Sequence, residues 1–175
     1  MKLIAIAVLT TIFVIPSSAL GQTRRRSTSR PSTSSSKAAA ERATQVRTQG
    51  ATRVADQIKL LTRFTYLLGG INSGIALVDE DIKRNKATPE QVQTNQQSKA
   101  RVRSSIQTFR EGLDKLEIDF RATPELQPYY IKLAGSAAGA ATAEEQAAAN
   151  QFDAAGRTLL NVINRLTDVL LAMRS

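Results

Sequence analysis

The sequence predicts an all-α protein: an antiparallel, up-down-up-down four-helix bundle with a long first helix, preceded by a disordered basic tail. From residue 38 onward, apolar residues recur at steps of three and four, which is the spacing of an amphipathic helix. Thr88-Pro89-Glu90 and Thr123-Pro124-Glu125 are both typical helix starts. Because only short joints separate these long helices, neighbouring helices are expected to be antiparallel.

Residues 1–21 predict a cleaved secretory signal peptide. Lys2 precedes an apolar stretch at residues 3–15, and Pro16 ends it. Cleavage is expected after Ala19 or after Gly21, with the second site favoured. The stretch is shorter than the roughly 20 apolar residues that a membrane span requires, so the mature chain is expected to have no transmembrane span. The absence of cysteine and of Asn-x-Ser/Thr sites favours the bacterial periplasm or exterior.

Residues 22–37 contain no large apolar side chain, which predicts a disordered linker. Its candidate contacts for an anionic envelope surface are Arg24, Arg25, Arg26 and Arg30. A solvated spacer, which makes no such contact, is the favoured interpretation of the linker. Nucleic acid is not an expected partner, because export removes the chain from it and the linker has no aromatic residue on which bases could stack.

The charge of the chain belongs mostly to this linker. The formal net charge is +9, from 24 basic and 15 acidic residues. One basic residue lies in 1–21 and five lie in 22–37, so 18 basic residues face 15 acidic ones in 38–175. The predicted bundle therefore carries a net charge of only +3.

Four helices are predicted within residues 38–175, at about 38–86, 89–122, 125–149 and 151–174. The first is predicted to continue through Gly69-Gly70, because its apolar spacing keeps phase across these glycines. In the second, Thr88 and Gln91 fit a capping box. The apolar stripe of the first helix comprises Val54, Ile58, Leu61, Phe64, Leu68, Ile71, Ile75, Val78 and Ile82.

The composition excludes most catalytic chemistry. The chain has no histidine and no cysteine, so the usual zinc and haem ligands and the usual base of a nucleophilic triad are missing. We therefore expect no enzyme, no cofactor and no metal, with catalysis by carboxylates alone as the one exception. The acidic cluster Asp79-Glu80-Asp81 is interpreted as solvated pairs with Lys83 and Arg84 four residues further on.

One ligand pocket is hypothesised at the Ala-rich end of the third helix. Antiparallel stacking would place this end level with the start of the second helix and leave the core there narrow or incompletely filled. The candidate pocket residues are Asn95, Lys99, Ala140 and Gly156. The alternative is that the helices simply approach closely there.

The resulting functional expectation is an exported, non-enzymatic helical bundle that serves as an interaction or structural module in the cell envelope. Its partner would be an unknown protein or a second copy bound through the long helix. Two alternatives stay open: a bundle that binds or senses a small ligand, and a binder of anionic envelope surfaces through the Arg-rich tail.

Overall fold

The computed structural model describes residues 33–174, and this part of the chain is helical apart from short turns. The helices are α1 (Thr33–Lys83), α2 (Pro89–Ala122), α3 (Gln127–Leu133), α4 (Ser136–Ala148) and α5 (Phe152–Arg174). The all-α class is thus confirmed, with four main helices and a two-turn α3. The predicted signal peptide, and the linker up to residue 32, lie outside the described residues.

The first helix begins earlier and ends earlier than the predicted 38–86. Residues 33–37, expected in the disordered linker, form its first turn, because adding a residue to an existing helix costs far less than nucleating a new one. It passes through Gly69-Gly70 without a break. It ends at Lys83 because Asn85 takes a left-handed conformation (φ 54°), and the Lys86 N–H donates to the Asp81 carbonyl at 2.8 Å.

The second helix starts with the capping box that its sequence indicates. The Gln91 N–H donates to the Thr88 hydroxyl oxygen at 3.3 Å, and the Thr88 N–H donates to the Gln91 side-chain oxygen at 2.8 Å. Pro89 occupies the first turn, where a missing N–H costs nothing. These local contacts fix the register in which the α2 side chains face the core.

The helix predicted over 125–149 is two helices, α3 and α4, which corrects the sequence interpretation. Gly135 separates them with a φ of 89°, a conformation that favours glycine. The Ser136 hydroxyl donates to the Leu133 carbonyl at 2.7 Å, and the Arg165 guanidinium donates to the Ala134 carbonyl. The break is therefore held partly by a residue of α5, which lies 31 positions away in the sequence.

Side chains of α2 hold both ends of α4. The Glu117 carboxylate accepts a hydrogen bond from the Ala137 N–H at 2.8 Å, at the positive end of the α4 dipole. At the other end, Arg103 donates to the Ala147 carbonyl at 3.1 Å. Because a helix of 13 residues is marginal by itself, these end contacts matter to its stability.

The main helices pack in a ring in which α1 contacts α2 and α5, and α4 contacts α2 and α5. Arg53, in the first half of α1, pairs with Asp119 near the end of α2 at 2.6 Å. Asn72 of α1 donates to Asp153 in the first turn of α5 at 2.7 Å. Side chains from all five helices form the core, and its largest fully buried members are Phe120, Phe152, Leu61, Ile106, Leu113, Leu126, Leu133, Leu159 and Leu166.

Candidate functional site

A groove between α1 and the first half of α2 has a volume of 450 Å³. Its α1 wall is apolar, with Ile71, Ile75 and Val78, and it includes Gly70 and Gly74. A Cβ atom added at either glycine would meet nothing within 4 Å. The α2 wall is short and polar, and is formed by Glu90, Gln91, Thr94, Asn95 and Ser98. Gly70 and Gly74 leave space on the α1 side of the groove, because they carry no side chain.

A polar cluster borders this groove. Asn95 is 4% exposed, and its amide nitrogen donates to Asp79 Oδ1 at 2.7 Å. Lys99 Nζ donates to the two carboxylate oxygens of Asp79 at 2.6 and 2.8 Å. Asn95 Oδ1 is buried and accepts no hydrogen bond from any residue that the structure describes. An unsatisfied buried acceptor costs about 1–3 kcal/mol, so this atom is an unusual feature of the core.

At the mouth of the groove, Glu90 lies in the first turn of α2. Hydrogen bonds from its own backbone N–H and from the Thr88 hydroxyl lower the pKa of Glu90 below its ordinary value. The carboxylate is exposed, so it supplies a negative charge at the groove mouth at neutral pH.

The four hypothesised pocket residues do not surround one common cavity. Asn95 lines the groove, whereas Lys99 is held in its ion pair with Asp79. Ala140 is fully buried in α4. Gly156 lines a separate hollow of 210 Å³ between α1 and α5, where its Cβ would lie 3.4 Å from Leu68. The Ala-rich helix, α4, approaches α5 closely at Gly139 and Val162, while a hollow of 360 Å³ lies on its other side, beside Arg110 and Glu144. The groove of 450 Å³ adjoins α1 instead.

Two of the three residues of the acidic cluster, Asp79 and Glu80, form ion pairs. Glu80 pairs with Arg84 at 3.0 Å and with Lys83 at 3.8 Å. Asp79 pairs with Lys99 of α2 rather than with Lys83, the partner expected from helix spacing. No group of three metal-ligating side chains occurs among residues 33–174. The candidate polyanion contacts Arg24, Arg25, Arg26 and Arg30 lie outside the described residues.

The outer side of α1 carries an apolar surface that the sequence interpretation missed. Tyr66 is 84% exposed, Leu77 is 70% exposed and Leu67 is 50% exposed. Ile71 and Ile82, which the apolar stripe placed in the core, are also exposed. The buried α1 residues recur every seven positions (Val54, Leu61, Leu68 and Ile75). This seven-residue step could have identified the core face of α1 from the sequence, because the exposed apolar residues fall outside it.

Comparisons with known proteins do not identify a family or a function for this chain. No family model, no curated protein and no solved structure matches the chain. Within residues 33–174, none of the helices combines the length and apolar character needed to cross a membrane.

Proposed function

We propose that this protein is an exported, non-enzymatic helical bundle that acts in the cell envelope by binding another protein chain through α1. The observation that carries this proposal is the concentration of exposed large apolar side chains on one helix. Of the ten such side chains in the described part, six lie on α1: Leu60, Tyr66, Leu67, Ile71, Leu77 and Ile82. Grouped apolar surface of this kind is typical of interaction sites, whereas single exposed apolar residues are ordinary.

We propose an up-down-up-down order for the four main helices, which places this surface on the outside of the bundle. Pairs at the two ends of the α1–α2 contact support it. Arg53 meets Asp119, whereas Asp79 meets Lys99, so the start of one helix lies beside the end of the other. Export is proposed from the features of residues 1–21, and it would expose the surface to envelope proteins.

Photo-crosslinking in the host tests the binding surface. A photoreactive amino acid at Leu77 is expected to give a discrete protein adduct after irradiation, since this side chain is exposed on the outside of α1. The matched control is the same group at Thr142, which is exposed on α4. An adduct formed equally from both positions, or from neither, would contradict the proposal.

A second candidate function is the binding of a small molecule in the α1–α2 groove. Its volume falls in the range of small-molecule sites, about 300–1,000 Å³, and its α1 wall is apolar with Ile71, Ile75 and Val78. The expected ligand would therefore be largely apolar. Native mass spectrometry of protein purified from its host would show an added mass, which Gly74→Leu should remove by filling the groove. A mass equal to the polypeptide alone would exclude this function.

A further inference from the structure

The outer face of α1 carries a stripe whose pattern is symmetric. We call this stripe the outer seam; its members are Arg63, Leu67, Gly70, Gly74, Leu77 and Asp81. They are separated by four, three, four, three and four residues, so they line one side of the helix. This side is opposite the one that buries Leu61, Leu68 and Ile75 in the core.

Read from either end, the outer seam has the same order of apolar and small residues. Its centre is at residue 72. Leu67 and Leu77 are equally distant from this centre, as are Gly70 and Gly74. If two antiparallel copies of α1 cross at residue 72, Leu67 of one copy lies beside Leu77 of the other, and Leu77 of the first lies beside Leu67 of the second. Such a self-complementary patch is what a twofold symmetric interface requires.

The two ends of the outer seam carry opposite charges that have no partner within the bundle. Arg63 and Asp81 form no ion pair with the residues that the structure describes, whereas Arg53 and Glu80 of the same helix do. In the antiparallel arrangement, Arg63 of one copy lies beside Asp81 of the other. The symmetry repeats this attraction, so the interface contains it twice. A parallel arrangement would instead place like charges together.

The two glycines at the centre allow the helices to come close. Nothing lies within 4 Å of a Cβ built on Gly70 or on Gly74. Since glycine has no side chain, backbones can approach there, and the leucines of one copy can pack over the glycines of the other. The outer seam thus combines close approach, apolar contact and matched charge on one side of α1, where Asp81 is half-buried and the other five members are exposed.

We propose that the occupant of this surface is a second copy of this chain, bound antiparallel, with α1 against α1 and residue 72 at the twofold axis. The proposal rests on the proposed function in one respect, since it names the protein partner of α1. It goes beyond it by fixing the partner, the orientation and the residue register.

Charge reversal tests the contact between Arg63 and Asp81. In the full-length protein, sedimentation equilibrium should show a monomer–dimer equilibrium. Arg63→Asp turns both attractive pairs into repulsive ones, so it should weaken the dimer about tenfold or more. The double variant Arg63→Asp/Asp81→Arg restores opposite charges and should recover dimerisation. Lys115→Asp, on an exposed position of α2 with no ion pair among the described residues, is the control and should leave it unchanged.

Engineered cysteines test the register, and the chain contains no natural cysteine to interfere. Leu67→Cys and Leu77→Cys are single variants at exposed positions, so both should fold with unchanged helicity by circular dichroism. Mixed under mild oxidation, they should form a heterodimer disulfide, because positions 67 and 77 of opposite copies adjoin. Each variant alone should stay uncrosslinked, since like positions would be separated by about 15 Å along the axis.

Three results would overturn the proposal. A strict monomer at all concentrations excludes the dimer, and a disulfide formed by Leu67→Cys alone excludes the antiparallel register. An adduct from photoreactive Leu77 with a mass other than two copies excludes the second copy as occupant but leaves the proposed binding function intact. The absence of any adduct overturns the binding function as well, so the two failures are distinguishable.

Discussion

Small residues are closely packed in α4, whereas in α1 they border open space. On α4, Ala137, Ala140, Ala143 and Ala147 are buried, and a Cβ at Gly139 would lie 2.8 Å from Val162 of α5. On α1, Gly70 and Gly74 have open space around them and line the groove. Small side chains allow a neighbouring helix to approach, but they leave a groove where the neighbour is held away. The Asp79–Lys99 ion pair and the Phe64–Phe109 ring contact join α1 to α2 on either side of these glycines.

The largest effect is expected from enlarging a buried side chain of α4, where the small residues are closely packed. Ala143→Leu should lower the free energy of unfolding by about 1–3 kcal/mol or more, because Ala143 is fully buried in the core and a larger side chain would displace its neighbours. Thermal unfolding followed by circular dichroism measures this as a drop of several degrees. Ala148→Leu, exposed on the same helix, is the matched control. Equal losses in both variants would show that α4 is not closely packed.

A second test removes the charge that holds the beginning of α4. Glu117→Gln should cost about 1–2 kcal/mol, because it weakens the hydrogen bond from the Ala137 N–H and removes a negative charge from the helix N-terminus. Urea unfolding gives the magnitude, and hydrogen exchange should show faster exchange in α4 than in α2. Glu111→Gln, at an exposed position of the same helix, α2, should change the free energy of unfolding little. If hydrogen exchange became faster to the same extent in all helices, the role of Glu117 would not be local to α4.

The two regions should respond to the same substitution with opposite sign. In the monomer, at low protein concentration, Gly74→Ala should raise the free energy of unfolding by about 0.5–1 kcal/mol, because alanine favours the helix and its Cβ meets nothing within the bundle. Gly139→Ala should lower it, since the added Cβ collides with Val162. Paired urea titrations decide this directly. A gain in stability from both would mean that α4 and α5 separate at little cost.

The smallest expected effect is a pH dependence at the groove mouth. Because hydrogen bonds lower the pKa of Glu90 in the folded state, its carboxylate stabilises the fold above its unfolded pKa, and this contribution is lost as the pH falls through the lowered folded value. Glu90→Gln should therefore be slightly less stable than the natural protein at neutral pH, with the difference closing in acid. Melting temperatures at pH 7 and at about pH 3 measure it, with Glu41→Gln as an exposed control. If the difference in melting temperature between Glu90→Gln and the natural protein grew in acid, the pKa of Glu90 would be raised rather than lowered, which would contradict this prediction.

The sequence predicted the local features of the fold well and the distant ones poorly. The start of α2 depends on Thr88, Pro89 and Gln91, which are adjacent in the chain, so it could be predicted. The break at Gly135 depends also on Arg165, which is distant in the chain, so it was not predicted. The end of α1 is an exception, because the left-handed Asn85 is a local feature that was overlooked.

The candidate site was harder to predict for the same reason. Runs of small residues indicate where space could exist, but the distance to the facing helix decides whether it does. Asn95 was identified as a pocket residue from its position on the α2 stripe, and it does line the groove. The apolar outer face of α1 was missed, because a spacing of three and four residues does not separate a buried stripe from an exposed one beside it.

The length of α1 has an electrostatic consequence. Val46 of the 51-residue helix still packs against the core, and the helix continues from there to Thr33. At about 1.5 Å per residue, that extension measures about 20 Å. The Debye length in physiological salt is about 8 Å, so mobile ions screen the far end of α1 from the charges of the bundle. Whatever ionic contact is made at the Thr33 end can therefore change with salt or partner without altering the ion pairs that hold the helices together.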